Sequence, residues 1–247
     1  MPDRPSAAPI LSSEPQPAAP APLIPREVLF GNPERLSPQL SPDGKRLAYI
    51  APAEGVLNVW VRTLGAEDDH PITTDRGRGV RTFFWAHNAA QILYLQDKDG
   101  DENWRVYAVP AAGGAARDLT PFDGVQARIL ALPPERPDEI ILGLNSRVPQ
   151  LHDVHRANLA TGALTLIQSN DIGATDWVLD HHGHVRLAQV PTADGGFVVL
   201  HRAEASAAWQ ELFRITGEDA RTTGLLGFAA DNRTAYLLSS VGSDTAQ

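Results

Sequence analysis

The sequence predicts an all-β protein built from repeated four-stranded antiparallel units, on three observations. Turn signals recur at nearly even steps, from Asp43-Gly44 to Asp231-Asn232. Each turn is followed by a short alternating or apolar run, such as RLAYIA from Arg46 and QILYLQ from Gln91. Further strand-like segments follow each run before the next turn signal. Four short strands per unit of ~40–50 residues are typical of a β-propeller, in which each sheet, or blade, buries its faces against its neighbours.

We expect an incomplete β-propeller of four blades and part of a fifth. The predicted blades cover about 37–75, 81–120, 127–168, 174–216 and 225–247, within one partial propeller domain over 25–247. Residues 1–24, rich in Pro and Ala, are predicted to form a disordered tail, because they offer too little apolar surface to offset the entropy of ordering. The fifth unit stops where its third strand would begin. Unpaired strand edges favour self-association.

Composition narrows the classes of function. The chain of 247 residues has a formal net charge of −9, which disfavours nucleic acid as a partner. It contains no cysteine, so disulfides and thiolate chemistry are excluded. No apolar run approaches the ~18 residues of a membrane span, and no secretory signal pattern opens the chain. We therefore expect a soluble, cytoplasmic protein without cofactor, metal or membrane contact.

The clearest single element is a strand-turn-strand pattern over 92–110, ILYLQDKDGDENWRVYAVP. Its acidic tip resembles a calcium loop, but Glu102 and Ala108 stand where an EF-hand counted from Asp97 needs Gly and Glu. A solvated hairpin tip, in which Asp99-Gly100 supplies positive φ, explains the acidic run better.

Three stretches resemble the N-terminal propeller of the prolyl oligopeptidase family of serine peptidases, within its dipeptidyl aminopeptidase and acylaminoacyl-peptidase branch. They are SPQLSPDGKRLAYIAP from Ser37, RTFFWAHNAAQILYLQDKDGDENWRVYAV from Arg81 and DWVLDHHGHVRLAQ from Asp176. The resemblance implies a propeller that caps an α/β-hydrolase domain and controls which peptides reach a Ser-Asp-His triad. No G-x-S-x-G nucleophile elbow occurs in the chain. We therefore expect the chain alone to be inactive. It would meet the peptide substrate together with an α/β-hydrolase domain, either beyond the end of this sequence or on a complementing chain.

The resemblance also suggests binding residues, on loops between the second and third strands that would face the peptidase domain. Asp101, Glu102 and Asn103 would then meet a substrate amino terminus or a basic group across the interface. Asn145 and Arg147 form an N-x-R pattern, whose arginine would bind a substrate carboxylate or carbonyl. For the acidic tip the structural alternative is a solvated hairpin turn. For Arg147 it is an inter-strand cap or an exposed loop arginine, and this alternative is favoured over ligand binding. The alternative function is a stand-alone TolB-like propeller that binds a protein partner.

Two further clusters have simpler explanations. His181, His182 and His184 suggest a metal but lie on a predicted turn, and a solvated turn is favoured. The basic run RGRGVR over 76–81 lacks the flanking basic stripes of a nucleic-acid site, and the aromatic residues after it are expected in the core between blades. The strand aromatics predicted to be core are Trp60, Tyr94, Tyr107 and Tyr236.

Overall fold

The computed structural model describes residues 23–31, 34–243 and 245–247. The predicted tail over 1–24 lies outside these residues except for its last two. The chain divides into two compact units, Met1–Asn32 and Pro33–Gln247. The described part of the first unit contains one helix, α1 (Arg26–Phe30), which begins after Pro25 and ends at Gly31, whose N–H donates to the Glu27 carbonyl (2.9 Å).

Antiparallel strands make up the second unit. In chain order they are β1 (Leu36–Leu40), β2 (Arg46–Ala53), β3 (Val56–Thr63), β4 (His70–Pro71), β5 (Phe83–Trp85), β6 (Gln91–Gln96), β7 (Arg105–Pro110), β8 (Arg117–Asp118), β9 (Ala127–Ala131), β10 (Glu139–Val148), β11 (Leu151–Asn158), β12 (Leu164–Gln168), β13 (Asp176–Leu179), β14 (Val185–Pro191), β15 (Phe197–His201), β16 (Gln210–Ile215), β17 (Gly224–Phe228) and β18 (Ala235–Leu238).

The strands form four four-stranded sheets and one two-stranded sheet. Each group of four consecutive strands from β1 to β16 makes one sheet, and β17 pairs with β18. We number these sheets as blades 1 to 5. The predicted fold class, an incomplete β-propeller of four blades and part of a fifth, is confirmed.

One turn recurs between the first and second strands of blades 1, 2, 4 and 5. In each, the carbonyl of the residue that follows the first strand accepts a hydrogen bond from the N–H three residues later. That later residue has φ between 54° and 81°, a left-handed conformation that favours Gly and Asn. This explains why three of these four turn signals end in Gly or Asn. The left-handed residues are Gly44, Ala89, Gly183 and Asn232.

The core lies between blades, in four layers. Successive residues of a strand point to opposite faces of its sheet, so Ile92 packs toward blade 1 and Leu93 toward blade 3. In the same way Ile140 packs toward blade 2 and Ile141 toward blade 4. Because each inner blade is covered on both sides, its second strand reads as a continuous apolar run.

Blade 5 leaves apolar side chains uncovered. Tyr236 is 57% exposed, together with Leu226 (67%). The prediction that Tyr236 is core is therefore wrong, because no described sheet covers the outer face of this two-stranded blade. Self-association through such edges stays a prediction. No helix among the described residues is long and apolar enough to cross a membrane.

Candidate functional site

One end of the blades carries the predicted site residues. Connections in an antiparallel sheet alternate between its two ends, so the loop after the second strand and the loop after the fourth strand lie at the same end. We call this end the loop face. It includes the β6–β7 loop (97–104), the β10–β11 turn and the connections that lead into β5, β9 and β13.

The β6–β7 loop is the predicted acidic tip. Its strands pair in register from Gln91↔Pro110 to Gln96↔Arg105. Asp99 (φ 55°) and Gly100 (φ 88°) both adopt left-handed backbone, as expected of an Asp-Gly tip. The hairpin therefore has the predicted strands but a longer loop than a two-residue turn.

An ion pair between a buried carboxylate and an exposed arginine fixes the base of this loop. The Asp97 side chain is 2% exposed, and its Oδ1 lies 3.4 Å from Nε of Arg78, on the connection into β5. A Cβ added at Gly100 would collide with the Arg78 guanidinium. Arg78 therefore lies under the tip and ties it to the end of blade 1.

Asp101 organises the tip from within. Its Oδ1 accepts hydrogen bonds from the backbone N–H of Asn103 (3.1 Å) and Lys98 (3.2 Å), and the Asn103 side-chain amide donates to Oδ2 (3.3 Å). Burial acts to raise the pKa of Asp101, but these hydrogen bonds lower it below its ordinary value. The polar atoms of Asp101 and Asn103 thus form hydrogen bonds that hold the loop in its conformation.

Glu102 is the free carboxylate of the tip. Its N–H faces Asp97 Oδ2 (3.4 Å) and its carbonyl accepts from Gln126 Nε2 (3.4 Å). Its side chain is exposed and pairs with none of the described residues. At φ 58° it is a non-glycine residue in the left-handed region, which costs roughly 1–2 kcal/mol. Asp99 of the same loop and Glu54 of blade 1 share this backbone region, so what distinguishes Glu102 is its place in a loop anchored by the Arg78–Asp97 pair.

Asn145 caps the neighbouring turn. Its Oδ1 accepts from the N–H of Gln126 (2.7 Å), and its Nδ2 donates to the Pro149 carbonyl (2.9 Å). Gln126 thus touches both predicted groups, since it also donates to Glu102. Sequence reasoning missed this link, because Gln126 lies on the connection from blade 2 to blade 3 and carries no local motif.

Arg147 is held by carboxylates of its own blade. Its Nε and Nη2 each donate to an oxygen of Asp153 at 2.9 Å, and Nη2 lies 3.0 Å from Asp171. The hydrogen bond from Arg147 lowers the pKa of the buried Asp153 carboxyl and raises the pKa of the guanidinium. This geometry is that of the inter-strand cap, the alternative favoured from the sequence.

A pocket of about 440 Å³ opens beside the tip, between blades 2 and 3. We call it the arginine pocket, and it is lined by Arg81, Leu95, Trp104, Gln126, Arg128 and Ile129. A smaller cavity of about 260 Å³ shares two of these residues and reaches Asp97. Sequence reasoning missed Arg128 and Trp104 as site residues. The basic run over 76–81 includes Arg81, but nucleic acid was the only ligand considered for it from the sequence.

The histidine cluster lies at the opposite end, where blade 4 meets blade 5. His181 Nε2 hydrogen-bonds the Phe228 carbonyl (3.0 Å). Asp180 Oδ1 accepts from the N–H of His184 (2.9 Å), and its Oδ2 lies 3.3 Å from Arg186. The stretch DWVLDHHGHVRLAQ from Asp176, which carries part of the family resemblance, thus serves the structure of the turn and of the blade junction. No group of His and carboxylate side chains within 23–31, 34–243 and 245–247 is arranged to hold a metal.

The fold and its loop face define the class of the chain as an unclosed array of propeller blades. Among solved structures, a prolyl endopeptidase aligns with a TM-score of 0.59 at 17% identity, over 82% of this chain and 31% of that one. Prolyl oligopeptidase B from Galerina marginata aligns with a TM-score of 0.57 at 13% identity, over 82% and 30%. These likenesses show the fold. No protein-family model matches the chain.

Sequence relatives carry the identification further. The chain is 41% identical over 229 residues to dipeptidyl aminopeptidase BIII of Pseudoxanthomonas mexicana, across 91% of this chain and 32% of that protein. Dipeptidyl peptidase family member 6 of Caenorhabditis elegans is 29% identical over 236 residues, across 90% and 32%. The chain is homologous to these dipeptidyl peptidases, and its resemblance to the propeller of the prolyl oligopeptidase family is confirmed. It spans about a third of the length of the curated relatives it matches.

Proposed function

We propose that this chain is the substrate-gating propeller portion of a serine peptidase of the prolyl oligopeptidase family. Its loop face would meet an α/β-hydrolase domain, in the same protein or on a complementing chain. It would admit peptides and hold them without cleaving bonds itself. Support comes from the homology to dipeptidyl peptidases and from the placement of charged loops at one end of the blades.

The observation that most directly supports this proposal is the side chain of Glu102, which is exposed and unpaired among the described residues. It presents an exposed, unpaired carboxylate from a strained backbone position in a loop anchored by the Arg78–Asp97 pair. A fixed carboxylate on this face suits the ammonium group of a peptide amino terminus, through a charge-assisted hydrogen bond. Asp101 contributes by shaping the loop, and the direct contact falls to Glu102.

Binding of amidated peptides tests this role. Leucyl-alanyl-leucine amide, which has a free amine, is compared with its N-acetylated form, so that neither ligand has a carboxylate. Titration calorimetry should show tighter binding of the free amine, and Glu102→Gln should remove that preference. Glu54→Gln is the matched control, because Glu54 is an exposed glutamate with φ 51° on the corresponding loop of blade 1.

Equal binding of the two peptides would refute the amine contact, as would an equal effect of the control. The non-catalytic role has its own test. The purified chain should not release p-nitroaniline from dipeptidyl reporters. Turnover that a serine-directed phosphonate blocks would overturn the proposal.

A further inference from the structure

The arginine pocket concentrates positive charge in an acidic protein. Its lining contains two guanidinium groups and no carboxylate, whereas the whole chain has a formal net charge of −9. Its volume of about 440 Å³ is within the ordinary range of small-ligand sites. An anion is the complementary ligand for such a site.

Neither guanidinium in the pocket is neutralised by the described part of the chain. Arg81 makes no ion pair there, and Arg128 has only a long contact from Nη2 to Gln126 Oε1 (3.4 Å). Both side chains are exposed. Burial, with added repulsion from Arg128, lowers the pKa of His152 to about 4.

The loop-face arginines outside the pocket fall into two groups. Arg78 and Arg147 are paired with carboxylates, whereas Arg76, on the connection into β5, is exposed and makes no ion pair among the described residues. Arg81 and Arg128 also lack a carboxylate partner there, and they differ from Arg76 in lining one pocket together.

Trp104 adds an unused donor and an apolar wall. The indole N–H groups of Trp60, Trp85 and Trp177 donate to backbone carbonyls at 3.0, 3.1 and 3.0 Å. The indole N–H groups of Trp104 and Trp209 have no such acceptor within the described residues, and Trp104 belongs to the pocket lining, where a bound ligand can accept from it. Trp104 and Leu95 together also offer surface to an apolar side chain.

We propose that the arginine pocket binds a peptide carboxylate, with Arg81 and Arg128 as its cationic clamp and Trp104 against the neighbouring apolar side chain. The carboxylate comes from a peptide C-terminus or from an acidic side chain, both of which suit the planar fork of arginine. This inference rests on the proposed function in that its ligand is a peptide. It concerns different residues and the opposite charge from the amine contact at Glu102.

Three N-acetylated peptides test the inference in the 247-residue protein. They are acetyl-leucyl-alanyl-leucine with a free carboxylate, its C-terminal amide, and acetyl-leucyl-aspartyl-leucine amide. Acetylation removes the amine, so failure of the Glu102 contact leaves this experiment unaffected. The readout is the shift of the Trp104 indole signal in a ¹⁵N–¹H spectrum of the five tryptophans, assigned with Trp104→Phe.

We expect the free-carboxylate peptide, the aspartyl peptide or both to shift the Trp104 signal, and the uncharged amide not to shift it. Which of the two binds identifies the source of the carboxylate. Arg81→Gln and Arg128→Gln should each weaken binding roughly tenfold, the loss of one charge-assisted contact. Arg214→Gln, at an exposed arginine paired with Glu211 on β16, is the control and should leave affinity unchanged.

Both arginines in the pocket are exposed, so their variants should keep the melting temperature of the parent chain. Lysine at either position should restore part of the affinity, because it retains the charge without the fork. Equal binding of the amide would overturn the inference, as would unchanged affinity in both Gln variants or an unmoved Trp104 signal with every peptide.

Discussion

Replacement of Arg147 by alanine separates a structural role from a ligand-binding role for this side chain. Asp153 is 4% exposed and accepts two hydrogen bonds from Arg147 and one from the N–H of Asn170 (2.6 Å). Without the guanidinium, a buried carboxylate keeps one backbone partner. Loss of one member of a buried ion pair costs about 3–5 kcal/mol. Arg147 is itself partly exposed and water can replace it, so we expect a loss of roughly 2–3 kcal/mol in the free energy of unfolding.

Urea unfolding followed by tryptophan fluorescence measures this loss. A domain of this size loses about 2–4 °C in melting temperature per kcal/mol, so Arg147→Ala should melt roughly 4–12 °C lower. Asp153→Asn and the double variant complete a cycle whose coupling energy isolates the pair. Arg214→Ala is the control, because its partner Glu211 is half exposed and the expected change is within about 0.5 kcal/mol.

The pair also predicts a pH dependence with a definite sign. Arg147 lowers the pKa of Asp153 in the folded state, so the folded protein binds this proton less readily than the unfolded chain. The stabilisation is therefore present above the ordinary Asp pKa of about 3.9 and is lost as the pH falls through the lower folded value. The difference between Arg147→Ala and the parent should shrink on acidification. A variant as stable as the parent, or a difference independent of pH, would refute the reasoning.

Two further predictions concern single side chains. Glu102→Gly should raise the free energy of unfolding by roughly 0.5–1 kcal/mol, because glycine removes the left-handed strain at a smaller entropic cost. The same variant should lose the preference for free-amine peptides. Lower stability in urea would contradict the first expectation. Burial raises the pKa of Tyr94 to about 12, so stability should fall as the pH rises from the ordinary tyrosine pKa of about 10 toward that value. Tyr94→Phe should flatten this alkaline loss in urea titrations, and an unchanged slope would contradict the assignment.

The blades were predictable because their signals are local. The alternating third strand and the apolar second strand repeat with each blade, and the left-handed turn residue repeats in four of the five, so the period alone indicates the fold. The fourth strands of blades 1 and 2, His70–Pro71 and Arg117–Asp118, have only two residues each, so the repeat indicated their place and no periodic pattern of their own did. The burial of Tyr236 was predicted wrongly because its strand pattern carries no information on whether another sheet covers it.

The site was predictable only where it is local. Asp101 and Asn103 interact within three residues of the chain, so the acidic tip was visible in the sequence. The Arg147–Asp153 pair depends on the register Leu144↔Asp153 and Val148↔Leu151, which a hairpin pairing of this segment would have suggested. Arg81 and Arg128 reach the same pocket from different blades. Only the packing of one blade on the next brings them together, and no local spacing encodes that contact.

The charged residues of the loop face fall into two groups, those that form ion pairs within the described part of the chain and those that do not. Asp97 and Asp153 are buried and paired, so their arginines fix loop shape, and replacing them changes stability first. Glu102, Arg81 and Arg128 are exposed and unpaired within the described residues, so their electrostatic energy is available to a ligand. These free charges have opposite sign and are linked through Gln126, whose Nε2 donates to the backbone carbonyl of Glu102 and which also lines the arginine pocket. A peptide amine and a peptide carboxylate are the two charges that such a face complements.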